Sequence, residues 1–274
     1  AYASSLRSMQ RYLGKKDFPF IKLSSRIISD YQGKLLASGI CDNTIGFYLH
    51  NIKALFRKGC REMGLELPCP FRDISIKTEK TLKRSLDPVV IKTLSAIELE
   101  KDSPLSLARD IFMFSFYTRG MSFVDIALLK KRHVFPGEIC YRRHKTDQLM
   151  RVGINKEISR ILERYKNVPG EYIFPLFPAE RDPYAGYRSA YHRIRYSLGK
   201  ISRVIGLEFP LRLHAARHSW ATIAKVNGAS VHVIGECLGH TSEKTTRIYL
   251  KELDHSALDA VNNQVADFIL AVDD

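Results

Sequence analysis

Five cysteines (Cys41, Cys60, Cys69, Cys140 and Cys237) are scattered through 274 residues, odd in number and without a C-x-x-C pair. That excludes a disulfide framework and a cysteine-built zinc site, and it predicts a reducing, cytoplasmic compartment. No apolar run approaches the roughly 20 residues that span a bilayer. The N-terminus AYASSLRSMQ has no signal-peptide core, so neither a membrane protein nor an evidently secreted one is expected. The sequence also lacks G-x-x-x-x-G-K-[ST], G-x-G-x-x-G, G-x-S-x-G and H-E-x-x-H, together with any Asp/Glu cluster suited to Mg²⁺. No cofactor is expected. Acidic residues are in the minority, 29 against 43 Lys and Arg, and the resulting net charge of +14 favours a polyanionic partner. What is abundant is core material: 45% hydrophobic residues with 14 Phe and 13 Tyr, enough for about two packed domains.

The charge is uneven. Residues 1–88 carry a net +8 and residues 89–274 a net +6, yet residues 252–274 hold Glu252, Asp254, Asp259, Asp267, Asp273 and Asp274 with no Lys or Arg. Apolar positions at three- and four-residue spacing predict helices over 24–39 and 44–64. In the second, Asp42 or Asn43 is the cap, Ile45, Tyr48, Ile52, Leu55 and Phe56 form the buried stripe, and Gly64 is the stop. Lys53, Arg57, Lys58 and Arg61 line one flank, as a solvated face or as a helix laid along a phosphate backbone. Residues 66–88, with three prolines and no sustained stripe, read as a linker.

Beyond it, helices are predicted over 92–101 and over 105–120, the latter opened by Ser103-Pro104 and ended by Gly120. Residues 138–154 alternate around Lys145-Thr146-Asp147, the pattern of a β-hairpin that turns its basic side chains outward. Helical patterns return over 154–167, 187–207, 214–228 and 230–239, and in a last segment holding Tyr249. The expected fold is mainly α with a small antiparallel β-sheet. It divides into a helical domain over 1–76, a linker over 77–85 and a second domain over 86–274 that ends in an amphipathic helix over 256–272.

Within LRLHAARHSW, His214 and Arg217 stand three apart, so both fall on one face at a helix start where unpaired backbone N–H groups attract an anion. Glycine at 239 permits the left-handed turn that would aim His240 at the same pocket. Tyr249 follows nine residues later. His218, Trp220, Tyr187 and Tyr191 are read as packing residues, His218 on a different helix face from His214.

His-x-x-Arg, then Leu-Gly-His, then a tyrosine nine residues on, preceded by a lysine on a β-hairpin (Lys145), resembles the tyrosine recombinases of the phage-integrase family over nearly the whole chain. The wording FYTRGMSFVDIALLKK is similar to integrases of Bacteroides-type mobile elements. The resemblance implies a two-domain clamp on DNA, with a core-site-binding domain over 1–76, a catalytic domain over 86–274, and DNA contacts from Lys53, Arg57, Lys58, Arg142 and Arg143. It implies a 3′-phosphotyrosine intermediate without metal or cofactor: Tyr249 as nucleophile, Arg217, His240 and an upstream arginine on the phosphate oxygens, His214 as base and Lys145 as acid. One departure stands out. Ser122 occupies the place of the arginine in the family's T-G-x-R turn when Asp125 is aligned with the acid that follows it. Arg119 in the same turn is the expected substitute and Arg109 the runner-up, while Ser122 and Asp125 have the spacing of a capping box.

The implied partners are double-stranded DNA recombination sites, a homotetramer assembled on DNA from solution monomers, and accessory DNA-bending proteins, with no membrane. The acidic tail would dock on a neighbouring protomer. The expected task is integration and excision of a mobile element. Inversion, chromosome-dimer resolution, a type IB topoisomerase and an inactive DNA-binding module are the alternatives.

Overall fold

The computed structural model describes residues 2–15, 17–77, 79, 85–177, 183–240, 242–247 and 250, and of 183–185 the backbone only. The chain divides into two compact units, Ala1–Leu82 and Lys83–Asp274.

The first unit is helical: α1 (Tyr2–Leu13), α2 (Ser25–Ala37) and α3 (Asp42–Glu62). Ile28, Tyr31, Ile45, Leu49, Ile52 and Phe56 bury the apolar stripes of α2 and α3, and Phe71 from the following loop closes the core. Polar links join α1 to the other two. The Tyr31 hydroxyl bonds Ser8 Oγ at 2.8 Å and the Asn51 amide bonds Ser5 Oγ at 2.9 Å. Cys41, not Asp42 or Asn43, is the cap residue of α3. The Asn43 amide instead clasps the backbone of Glu79 from both sides, at 3.0 and 3.1 Å.

The second unit begins with α4 (Pro88–Ala96), capped by Asp87, so the helix starts and ends earlier than the predicted 92–101. Then come α5 (Pro104–Tyr117), α6 (Phe123–Ala127), strands β1 (Val134–Phe135), β2 (Glu138–Arg142) and β3 (Leu149–Gly153), and α7 (Lys156–Arg164). The remaining described helices are α8 (Pro183–Val204), α9 (Leu213–Val226), α10 (Val231–Leu238) and α11 (Glu243–Arg247). The predicted hairpin is β2–β3, paired antiparallel with Ile139 opposite Val152 and Tyr141 opposite Met150. Two-residue β1 extends it to a three-stranded sheet, a strand too short to carry a readable alternation.

Helix α5 runs through the middle of the unit and packs against α7, α8 and α9. Ile111, Phe112 and Phe114 are buried there with Leu198, Ile201 and Ala216. A buried carboxylate locks this core: Asp110 receives the Arg109 Nε and Arg164 Nη1 protons at 2.6 Å each and the Tyr165 hydroxyl at 2.9 Å. Satisfying a buried charge on several sides is what makes its burial tolerable. Among the described residues, no helix is long and apolar enough to cross a membrane.

Candidate active site

Small residues let α9 lie close to its neighbours. Ala215, Ala216, Ser219 and Ala221 are buried along it, and Ser219 Oγ accepts the Leu86 amide at 2.7 Å. Arg217 on the same helix is only 5% exposed. Its Nη1 donates to the Gly120 carbonyl at 2.8 Å, and its Nη2 donates to the Leu238 carbonyl and lies 2.9 Å from His240 Nε2. Gly120 is where only glycine fits: its φ is +74°, and a Cβ would sit 2.6 Å from Arg217 Cγ and 2.8 Å from Arg217 Cα. The turn after α5 thereby reaches the backbone of α9.

Gly239 ends α10 in the left-handed region (φ 63°), and the chain then points His240 back at Arg217, as its sequence position predicted. A second guanidinium arrives from the sheet. Arg143, 8% exposed, donates to the Gly239 carbonyl. This corrects the expectation that Arg142 and Arg143 both face outward toward DNA: Arg142 is exposed and pairs with Asp147 at 3.4 Å, whereas Arg143 continues the inward face of Ile139 and Tyr141. Lys145 sits exposed in the turn between β2 and β3. Burial, followed by the charges of Arg217, Arg143 and Lys145, pushes the His240 pKa down to about 4.

Asp125 of α6 holds the hairpin in place. It accepts the His144 amide at 2.8 Å on one oxygen and the Ser122 hydroxyl at 2.5 Å on the other. Ser122 also caps α6, as its spacing to Asp125 predicted. Of the two arginines weighed as substitutes, Arg119 donates to the Arg151 carbonyl at 3.4 Å, and Arg109 is spent on Asp110 and on the Ile97 carbonyl at 2.9 Å. His214 is exposed and lines a cavity of about 190 Å³ with Arg217, Gly120, Ser122, Tyr187 and Tyr191. His218 does not turn away from it; the two imidazoles meet edge to face with centroids 4.8 Å apart. Tyr249 lies outside the described residues, as does the predicted tail helix over 256–272. Lys53, Arg57 and Lys58 belong to α3 of the first unit, where Arg57 and Lys58 are exposed.

Arg143 is the residue that sequence reasoning placed on the wrong face. The alternation itself carried the signal, since 139, 141 and 143 share a parity. Two arginines held by backbone carbonyls, with a histidine beside them and a lysine on the adjoining turn, have the donor chemistry to bind an oxyanion.

Two family models match the chain, the Phage integrase family over residues 85–255 and the Phage integrase SAM-like domain over residues 1–72. The chain is 36% identical over 257 residues to tyrosine recombinase XerD of Pseudomonas putida, covering 91% of this chain and 84% of that protein. To tyrosine recombinase XerC of Shewanella oneidensis it is 26% identical over 226 residues, covering 79% and 70%. Among solved structures it is similar to a lambda integrase dimer bound to a COC′ core site (TM-score 0.68, 18% identity, 92% and 89% coverage). It is also similar to XerH site-specific recombinase bound to a palindromic difH substrate (TM-score 0.69, 18% identity, 90% and 74% coverage). With both family models matched in chain order and a 36% identical tyrosine recombinase covered over most of its length, the chain belongs to the phage integrase family and is a tyrosine site-specific recombinase.

Proposed function

We propose that this recombinase integrates and excises a mobile DNA element, with Tyr249 as the nucleophile and Arg217, Arg143, His240, His214 and Lys145 as its machinery. The observation that carries the assignment of residues is the gathering of Arg217, Arg143 and Lys145 about His240, with Arg217 Nη2 2.9 Å from His240 Nε2 and Arg143 bonded to the Gly239 carbonyl beside it. Attack on a phosphodiester adds charge to the two non-bridging oxygens, and the two guanidiniums are fixed where that charge grows. The Tyr249 oxygen bonds to phosphorus as the bond to the 5′-oxygen breaks, leaving a 3′-phosphotyrosine. The phenol proton passes to His214, which shares a cavity with Arg217, and Lys145 gives a proton to the departing 5′-oxygen. Rejoining runs the same steps backward with a 5′-hydroxyl from another strand, so no external energy source is needed. Residues 1–76 and 86–274 serve as the two arms around the duplex, with Lys53, Arg57, Lys58 and Arg142 on phosphates.

Assembly follows from charge. A groove of about 670 Å³ is lined by Arg195, Arg203 and Arg212 beside Tyr196, Leu207 and Phe209. The acidic, apolar-striped segment 256–272 complements it, which supports docking on a neighbouring protomer in a four-protomer synapse. Accessory DNA-bending proteins belong to the same proposal. The element-moving task rests on the similarity of FYTRGMSFVDIALLKK to element integrases. Chromosome-dimer resolution by the same chemistry is the second reading.

Incubation with a nicked suicide duplex tests the chemistry. Covalent protein–DNA linked through Tyr249, absent in Tyr249→Phe, is expected, and a second duplex should then receive the strand. Cleavage undiminished in Tyr249→Phe would remove that residue from the mechanism. Inverted repeats or attachment-site duplications beside the gene are expected for element mobility, and their absence there favours the chromosomal task.

A further inference from the structure

Thr246 has no place in the chemistry above, yet it is fully buried and its Oγ1 lies 3.0 Å from His240 Nδ1. Glycine makes the room for it. A Cβ on Gly235 of α10 would stand 2.9 Å from Thr246 Oγ1, and a glycine inside a helix is about 1 kcal/mol poorer than alanine, so the approach of the hydroxyl explains an otherwise unfavourable choice. The Gly235 carbonyl also accepts the His240 amide at 2.9 Å. Helix α10, the Gly239 turn and the short α11 are thus closed around one contact between hydroxyl and imidazole.

Donor and acceptor chemistry fixes which way that contact runs. A guanidinium can only donate, so His240 Nε2, 2.9 Å from Arg217 Nη2, is the acceptor. The ring is neutral near pH 7. Its proton therefore sits on Nδ1 and is given to Thr246 Oγ1.

We propose that Thr246 is a positioning residue: its buried hydroxyl takes the Nδ1 proton of His240 and keeps Nε2 aimed at the phosphate pocket. When a phosphate oxygen enters and draws Arg217 to itself, Nε2 takes one proton from solvent and donates it to that oxygen. Nδ1–H stays on Thr246 in both states, so the ring does not have to turn. This inference rests on the reading that His240 serves the phosphate site.

The test uses the full chain with Thr246→Val, which keeps the shape and loses the hydroxyl, and Thr246→Ser, which keeps the hydroxyl. In wild type, ¹⁵N spectra of the His240 imidazole should show the Nδ1–H form. Thr246→Val should lose that pattern and slow single-turnover cleavage of a nicked duplex about tenfold, the worth of one hydrogen bond, at unchanged DNA affinity. Thr246→Ser should stay within about threefold of wild type, a margin below one hydrogen bond. On a His240→Ala background, Thr246→Val should cause no further loss, because its effect passes through the ring. Retention of Nδ1–H in Thr246→Val, wild-type cleavage by that variant, or an equal loss on both backgrounds would overturn the proposal. If the wild type forms no covalent complex at all, the recombination chemistry assigned to Tyr249 fails, while the ¹⁵N arm still decides the role of Thr246.

Discussion

Replacing Arg143 by alanine should slow strand cleavage by about 10² to 10³, because a fixed donor aimed at transition-state charge contributes roughly 3 to 4 kcal/mol. The structure sets out what else is lost. Arg143 is 8% exposed and its guanidinium is held by the Gly239 carbonyl, so its removal leaves that carbonyl short of a donor at a cost of about 1 kcal/mol to the fold. Burial is the main reason that the His240 pKa lies near 4, with three cations adding to it, so loss of one of them should raise that pKa in the DNA-free protein. DNA affinity should hardly move. One phosphate contact among many changes the slope of log affinity against log salt by at most about 1. Arg143→Lys should fall in between, since an ammonium keeps the charge but not the two-pronged geometry.

Single-turnover cleavage of a nicked suicide duplex, measured at saturating protein, isolates the chemical step. The decisive comparison is a duplex with a methylphosphonate at the scissile position, where a methyl group replaces one charged oxygen. If Arg143 neutralises that oxygen, the penalty of Arg143→Ala should shrink to about tenfold or less on the neutral substrate. Cleavage within about threefold of wild type on the ordinary phosphodiester would refute the reasoning outright. Equal losses on both substrates would mean that Arg143 only braces the Gly239 turn.

Lys145→Ala should cripple cleavage of ordinary DNA but spare a substrate with a 5′-bridging phosphorothiolate, whose sulfur leaves without protonation; equal loss on both would reduce Lys145 to a phosphate contact. His240 has a folded pKa of about 4 against an ordinary 6.5, so on acidification the unfolded chain takes up the proton first. The DNA-free protein should therefore lose stability as pH falls from 6.5 to 4 and no further from this group below that. Denaturant titrations should show His240→Asn flattening the slope, and a slope unchanged in the variant would assign it to other groups. Gly120→Ala places a methyl 2.6 Å from Arg217 Cγ at a φ of +74°, and should destabilise the second unit by about 2 to 3 kcal/mol as read by thermal unfolding.

Elements with chemical punctuation were legible from the sequence. Ser103-Pro104 opens α5 and Gly239 ends α10 where their residue types said they would. Helix α1 had no such legibility because its buried positions include Ser5 and Ser8. Those serines are inside only because Tyr31 and Asn51, 23 and 46 residues away, reach them, and apolar periodicity is blind to that. Asn43 misled in the same way. It has the chemistry of a cap, but Glu79, 36 residues on, outcompeted the helix end for its amide.

The site shows the same division between local and distant information. Ser122 capping α6 and His240 turning back at Gly239 are local, and both followed from spacing. Arg143 is not, since an inward parity on an arginine looks like an error until its partner 96 residues away is known. The molecule anchors its arginines in two distinct ways. Arg109 and Arg164 are matched to the Asp110 carboxylate, and such pairing uses up their charge in holding α5 and α7 together. Arg217 and Arg143 are gripped by the carbonyls of Gly120, Leu238 and Gly239, dipoles that orient a guanidinium without cancelling its charge. The first arrangement completes a core. The second fixes two guanidiniums at a turn, the geometry that the proposed phosphate pocket calls for.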